Sequence, residues 1–288
     1  AALGEGALWS AAEQALYWVD ITRPTLNRFD PASGVNTSWP MPSPIGCFAL
    51  CPQGGAVVAL CEGFHHFDLR TGALRLIADP EPHKPGNRFN DGTVDPRGRF
   101  WAGTMPIAGP GEAPEGGLYC LDLDGGVRQA EGAFWIQNGL AFSPDGRTMY
   151  VSDSYAPIRT IWAFDYDPDS GVPANRRLFF DTRSVAGRPD GAAMDADGCY
   201  WMAGVGGWQL VRLTPQGQVD RIIPMPVEKP TKIAFGGRNL DIMYVTSIGQ
   251  GADPADPAQR EAGNLFAVHA GVQGLPVPGY AGAVAPPP

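Results

Sequence analysis

Long apolar runs, basic stretches, histidine clusters and paired cysteines are missing from this chain, and each absence removes a class of function. No apolar run approaches the roughly 18 residues of a membrane helix, so no helical span is expected. Acidic residues outnumber basic ones by 30 to 21, for a net charge of −9. Nucleic-acid phosphates call for the opposite charge, so neither DNA nor RNA is expected as a partner. The five cysteines, Cys47, Cys51, Cys61, Cys120 and Cys199, contain no CxxC spacing. They read as free thiols in a reducing compartment. No signal-peptide pattern is visible, although the sequence opens at Ala1 without a methionine. The expected location is therefore the cytoplasm and the expected state a monomer. A Gly-x-Ser-x-Gly elbow is also absent, which argues against a serine nucleophile.

Turn-forming residues are abundant instead. Glycine (38) and proline (29) are spread along the whole chain, and no long helical pattern interrupts them. Two patterns alternate. The first is a strand, a glycine-containing turn and an aromatic strand, as in "NDGTVDPRGRFWAGT", "NGLAFSPDGRTMYVSDS" and "DGAAMDADGCYWMAGVG". The second is an apolar strand ending in a turn, as in "HHFDLRTG" and "IWAFDYDPDSG". Each occurs in six copies, a mean period of about 48 residues, which is the size of a propeller blade. The fold expected over 1–288 is all-β: one domain, a six-bladed β-propeller with a central channel. A β-sandwich is the alternative. Ring closure by pairing of strands from the two chain ends is expected.

Aligning the copies on the turn glycine puts Gly46, Asn90, Asn138 and Asp190 eight residues before Gly54, Gly98, Gly146 and Gly198. Aligning on the aromatic strand puts Glu5, Asn138 and Lys232 twelve residues before Tyr17, Tyr150 and Tyr244. One position, at the start of each blade's first strand, is thus held by Glu5, Gly46, Asn90, Asn138, Asp190 and Lys232. In a propeller that strand lines the channel, so pseudo-symmetry should gather these side chains at one mouth. Two carboxylates and two amides there suit a hard divalent cation. Calcium fits the ligand types best. Magnesium and manganese are compatible, and zinc or iron is less typical without histidine. The plainer reading is that such Asn and Asp residues only cap turns. Lys232 should avoid a cation and face substrate or a ligand carboxylate. Asp91 and Asp153 either support the ligands or stabilise turns, and Trp208 either walls the pocket or packs in the core.

The segments "LGEGALW", "NRFNDGTVDPRGRFWAGTM", "NGLAFSPDG", "YVSDS", "GRPDGAAMD" and "FGGRNLDIMYVTS" resemble the gluconolactonase/regucalcin family, from Leu3 to about Val268. The resemblance implies a six-bladed propeller with one divalent metal at the channel mouth. It places the metal ligands on Glu5, Asn138 and Asp190 and a general base on Asp190. It places substrate-binding residues on Arg88 and Asn90, the latter a metal ligand in related phosphotriesterase-type propellers. The implied activity is metal-dependent hydrolysis of a small-molecule sugar lactone to its aldonic acid. A phosphotriesterase-type hydrolase, and a non-catalytic calcium- or ligand-binding propeller, are the alternatives.

Overall fold

The computed structural model describes residues 1–253 and 255–283. Six antiparallel sheets form the blades of a β-propeller, and within each sheet every strand pairs with the next in sequence. The innermost strands are Gly4–Ser10, Ile45–Leu50, Asn87–Val94, Gln137–Phe142, Arg188–Met194 and Pro230–Gly236. Each touches the inner strand on either side, and the last closes on the first. Among the described residues no helix is long and apolar enough to cross a membrane.

Burial explains the sequence pattern. Inner strands lie between two neighbouring blades, so Ile45–Leu50 and Ala56–Leu60 are apolar and buried nearly throughout. The outermost strand Val35–Pro40 faces solvent and is mostly exposed. Six apolar clusters fill the six gaps between blades. Phe64, Phe89 and Phe100 pack between blades 2 and 3, and Trp201 and Phe235 between blades 5 and 6. Burying one such side chain stabilises the fold by about 1.5–3 kcal/mol.

The aligned turns share one construction. The amides of Gly98, Gly146 and Gly198 donate to the carbonyls of Asp95, Ser143 and Asp195, three residues earlier, at 3.0, 2.8 and 3.0 Å. These glycines have φ of 90°, 68° and 79°. Glycine recurs there because only it takes a left-handed conformation without strain.

The blades are four-stranded with one exception. Among the described residues a fourth, outer strand is present in five blades, and blade 6 has three. The seam is built otherwise than expected: blade 1 comes from Gly4–Pro40 and blade 6 from Pro230–His269, so among the described residues no sheet mixes the chain ends. The ends meet through a lone bridge between Leu3 and Ile248 and a hydrogen bond from Gly249 N to Ala2 O at 3.0 Å. A C-terminal strap then runs over the far end of the channel. It is held by Leu275 N to Met194 O (3.3 Å), Tyr280 N to Leu50 O (2.8 Å) and Ala281 N to Gly98 O (3.0 Å).

Candidate active site at the channel mouth

Every inner strand is irregular near the aligned position. The register with the neighbouring strand slips between Glu5 and Leu8, Asn138 and Ala141, Pro189 and Ala192, and Pro230 and Ile233. Gly6 and Gly139 follow the aligned residue in two blades, with φ of 59° and 64°. Such bulges break the alternation of a strand and re-aim a side chain. The polar residues at the aligned position are all buried: Glu5 (7% exposed), Asn90 (9%), Asn138 (3%), Asp190 (7%) and Lys232 (5%). At the sixth position any side chain on Gly46 would overlap the backbone of Phe89, so blades 2 and 3 approach too closely for one.

Hydrogen bonds fix the amides. Asn138 Nδ2 donates to Ser154 Oγ at 2.8 Å, and that hydroxyl donates on to Pro189 O, beside Asp190. Asn138 Oδ1 is buried without a hydrogen-bond partner among the described residues. Asn90 Nδ2 donates to Gln137 O at 2.7 Å, and Asn90 Oδ1 accepts from Arg88 Nη1 at 2.8 Å. Arg88 Nη1 also donates to Phe89 O at 2.8 Å, and no ion pair holds this guanidinium among the described residues. Glu5 Oε2 accepts from the Gly6 amide at 3.0 Å.

Beneath these groups lies a buried ion pair. Lys232 Nζ donates to Asp91 Oδ1 at 2.6 Å, and Asp91 Oδ2 accepts from Leu140 N at 2.9 Å. Lys232 therefore pairs with Asp91 rather than with Glu5 or Asp190. Asp91 joins blades 3, 4 and 6, whereas Asp153 accepts from the amides of Trp135, Ile136 and Tyr155 and orders the chain next to Asn138. Trp208 occupies the turn between Tyr200–Val205 and Gln209–Leu213 with a φ of 58°, half-buried.

The electrostatics are those of a site short of positive charge. Burial, and then the charge of Asp190, hold the Glu5 carboxyl well above the usual carboxylate range. Burial, and then the charge of Asp91, push Asp190 up to about 7, partly offset by its hydrogen bond with Glu5 and by Arg188 and Lys232. Two buried carboxyls in contact resist joint ionisation unless a cation lies between them. No three His, Cys, Asp or Glu side chains cluster as a metal cage among the described residues. A cation here would need amide oxygen as well, and Asn138 Oδ1 is a buried oxygen with no partner among the described residues. The donor set of Glu5, Asp190 and Asn138 fits a hard divalent ion.

Residues 3–249 match the family model described as SMP-30/gluconolactonase/LRE-like region. The chain belongs to this family. Among relatives of the SMP-30/gluconolactonase chain is a 6-deoxy-6-sulfogluconolactonase of Pseudomonas putida, 39% identical over 97% of this chain and 95% of that protein. A regucalcin of Xenopus laevis is 35% identical over 97% and 95%. Among solved structures, a calcium-binding regucalcin from Agrobacterium tumefaciens superposes with a TM-score of 0.90 at 29% identity, covering 97% of this chain and 94% of that one.

Three supporting residues of this family member escape sequence symmetry. Ser154 and Gln137 lie outside the aligned position, and the partner of Lys232 is 141 residues away in sequence. Gln137 is fully buried against Gly103, where any side chain would overlap it. The dipeptide "DS" at Asp153-Ser154, closing the strand paired with Asn138, was the available signal for Ser154.

Proposed function

We propose that the chain hydrolyses a sugar lactone to its aldonic acid with one divalent cation at the channel mouth. The observation that carries this reading is the contact of the buried Glu5 and Asp190 carboxyls, with Asn138, whose Oδ1 has no partner among the described residues, tied through Ser154 to Pro189 O beside Asp190. Family membership supports it, and the Pseudomonas putida relative is named for a lactone. Glu5, Asn138 and Asp190 would hold the ion, calcium first by ligand type, with magnesium, manganese, zinc or iron as alternatives. When bound, the ion supplies Lewis acidity, polarising the lactone carbonyl and offsetting the negative charge that builds as water attacks.

The chain's own groups do the rest. Asp190 would take the proton of the attacking water. Arg88, with Nη1 already fixed by Phe89 O and Asn90, offers its other N–H donors to the hydroxyls of the substrate. Asn90 is held by Gln137 and orients the ring beside it. A half-buried guanidinium with free donors suits a polyhydroxylated ring better than an apolar phosphotriester. Acid release from a panel of aldonolactones, with chelator and then with each ion restored, tests the reading. Turnover lost on chelation and regained with the ion is expected. Unchanged turnover in chelator, or none on any lactone with any ion, would overturn it.

A further inference from the structure

Asn90 and Asn138 hold the same aligned position on the inner strands of blades 3 and 4. Identical side chains at symmetric points invite identical roles. Their hydrogen-bond partners differ, however, and the difference can be followed proton by proton.

A side-chain amide has one end that only donates and one that only accepts. At Asn90 both ends are engaged. Its Nδ2 donates at 2.7 Å to Gln137 O, a carbonyl that can only accept. Its Oδ1 accepts at 2.8 Å from Arg88 Nη1, a guanidinium that can only donate. Neither neighbour tolerates the reversed amide, so the oxygen of Asn90 is committed to Arg88.

At Asn138 the chain of partners runs the other way. Pro189 O carries no proton, so the Ser154 hydroxyl must donate to it. That uses the only proton the hydroxyl has. Toward Asn138, Ser154 Oγ then offers lone pairs alone, and the atom facing it at 2.8 Å must be Nδ2. Oδ1 is sent to the opposite side, where it is buried and has no partner among the described residues. Ser154 is 3% exposed, so bulk water does not replace its hydroxyl. Pro189 immediately precedes Asp190, so this one hydroxyl ties blade 4 to blade 5 between two of the candidate ligands. Without it the Asn138 amide is free to turn over and present its NH₂ group, which a cation repels.

We propose that Ser154 is the positioning residue that makes Asn138 a cation ligand: by giving its proton to Pro189 O, it holds the Asn138 amide with Oδ1 toward the ion. The inference rests on the cation site of the reading above. It also explains how two symmetric asparagines divide their work, Asn90 toward Arg88 and substrate, Asn138 toward the ion. Ser154 acts through Asn138 and Pro189.

Calorimetric titration of the chelator-treated full chain with calcium alone tests this without any turnover. Ser154→Ala should raise the calcium Kd by about 10- to 100-fold, the usual effect of removing the group that orients a metal ligand. Ser154→Thr keeps the hydroxyl and should recover most of the affinity. The deciding comparison uses the Asn138→Asp background, in which the two side-chain oxygens are equivalent and orientation no longer matters. Adding Ser154→Ala there should change the calcium Kd by less than about threefold. Should Ser154→Ala not fold, Ser154→Cys carries the same comparison, because a thiol is a weak donor and a weak acceptor. Unchanged calcium affinity in Ser154→Ala would overturn the inference. So would an equal loss in both backgrounds, since a merely structural role acts whatever stands at position 138. Absence of calcium binding by the unsubstituted chain would sink the cation site, and this inference with it. Binding by that chain that Ser154→Ala leaves intact would sink this inference alone.

Discussion

Asp190 and Glu5 are in hydrogen-bond contact, yet their losses should differ. Asp190→Asn removes the proposed base and should lower kcat by about 10²- to 10⁴-fold with the cation saturating, as measured by acid release. Glu5→Gln removes ligand charge without removing the base. Its chief effect should be weaker calcium binding, on the order of tenfold or more by calorimetry. Lys232→Met leaves Asp91 buried and uncompensated, which should cost about 3–5 kcal/mol in denaturant unfolding. At this scale the sequence was legible wherever the repeat applied. Glu5, Asn90, Asn138 and Asp190 stand at symmetric points, so alignment of turns and aromatic strands found them. Ser154 and Gln137 were not legible, because each reaches the site through one hydrogen bond or contact across strands that has no counterpart in other blades. Asn90 was readable as a ligand, but its Oδ1 is already engaged by Arg88, which favours a role toward substrate.

The inner strand with its bulge is the element that makes the site. A regular strand would turn alternate side chains away from the axis, whereas left-handed Gly6 and Gly139 redirect Glu5 and Asn138. Gly139→Ala should therefore act on both stability and cation affinity. The new methyl meets the Tyr200 hydroxyl and Ser152 Oγ, and φ of 64° adds strain of about 1–3 kcal/mol. A lower thermal midpoint together with weaker calcium binding is expected. A drop in stability with cation affinity unchanged would mean that the bulge does not position Asn138. Inner strands and their turns were legible from glycine and aromatic spacing. Outer strands were not, since Val35–Pro40 lies mostly in solvent and no burial constrains its pattern.

For the whole molecule, the repeat length revealed six blades, but not how the ring is fastened. The ring is fastened by single backbone pairings near Leu3 and by the strap anchored at Leu275, Tyr280 and Ala281, neither of which repeats among the described residues. The buried carboxyl pair links global stability to pH. Without a cation, Asp190 titrates near 7 against about 4 in the unfolded chain, and Glu5 is raised as well. The folded state thus holds protons that the unfolded state releases. The stability this contributes is full below about pH 4 and is lost as pH rises through 7. A saturating divalent ion should cancel the loss, so the gap in thermal midpoint between calcium-loaded and chelated protein should widen from pH 5 to pH 8. The most direct measurement is a crystal structure of the protein soaked in manganese, with anomalous differences collected. The account predicts one strong peak at the channel mouth, within about 2.0–2.6 Å of oxygens from Glu5, Asn138 and Asp190 together. A clean map with no peak among those three side chains, or a manganese site held elsewhere, would contradict it.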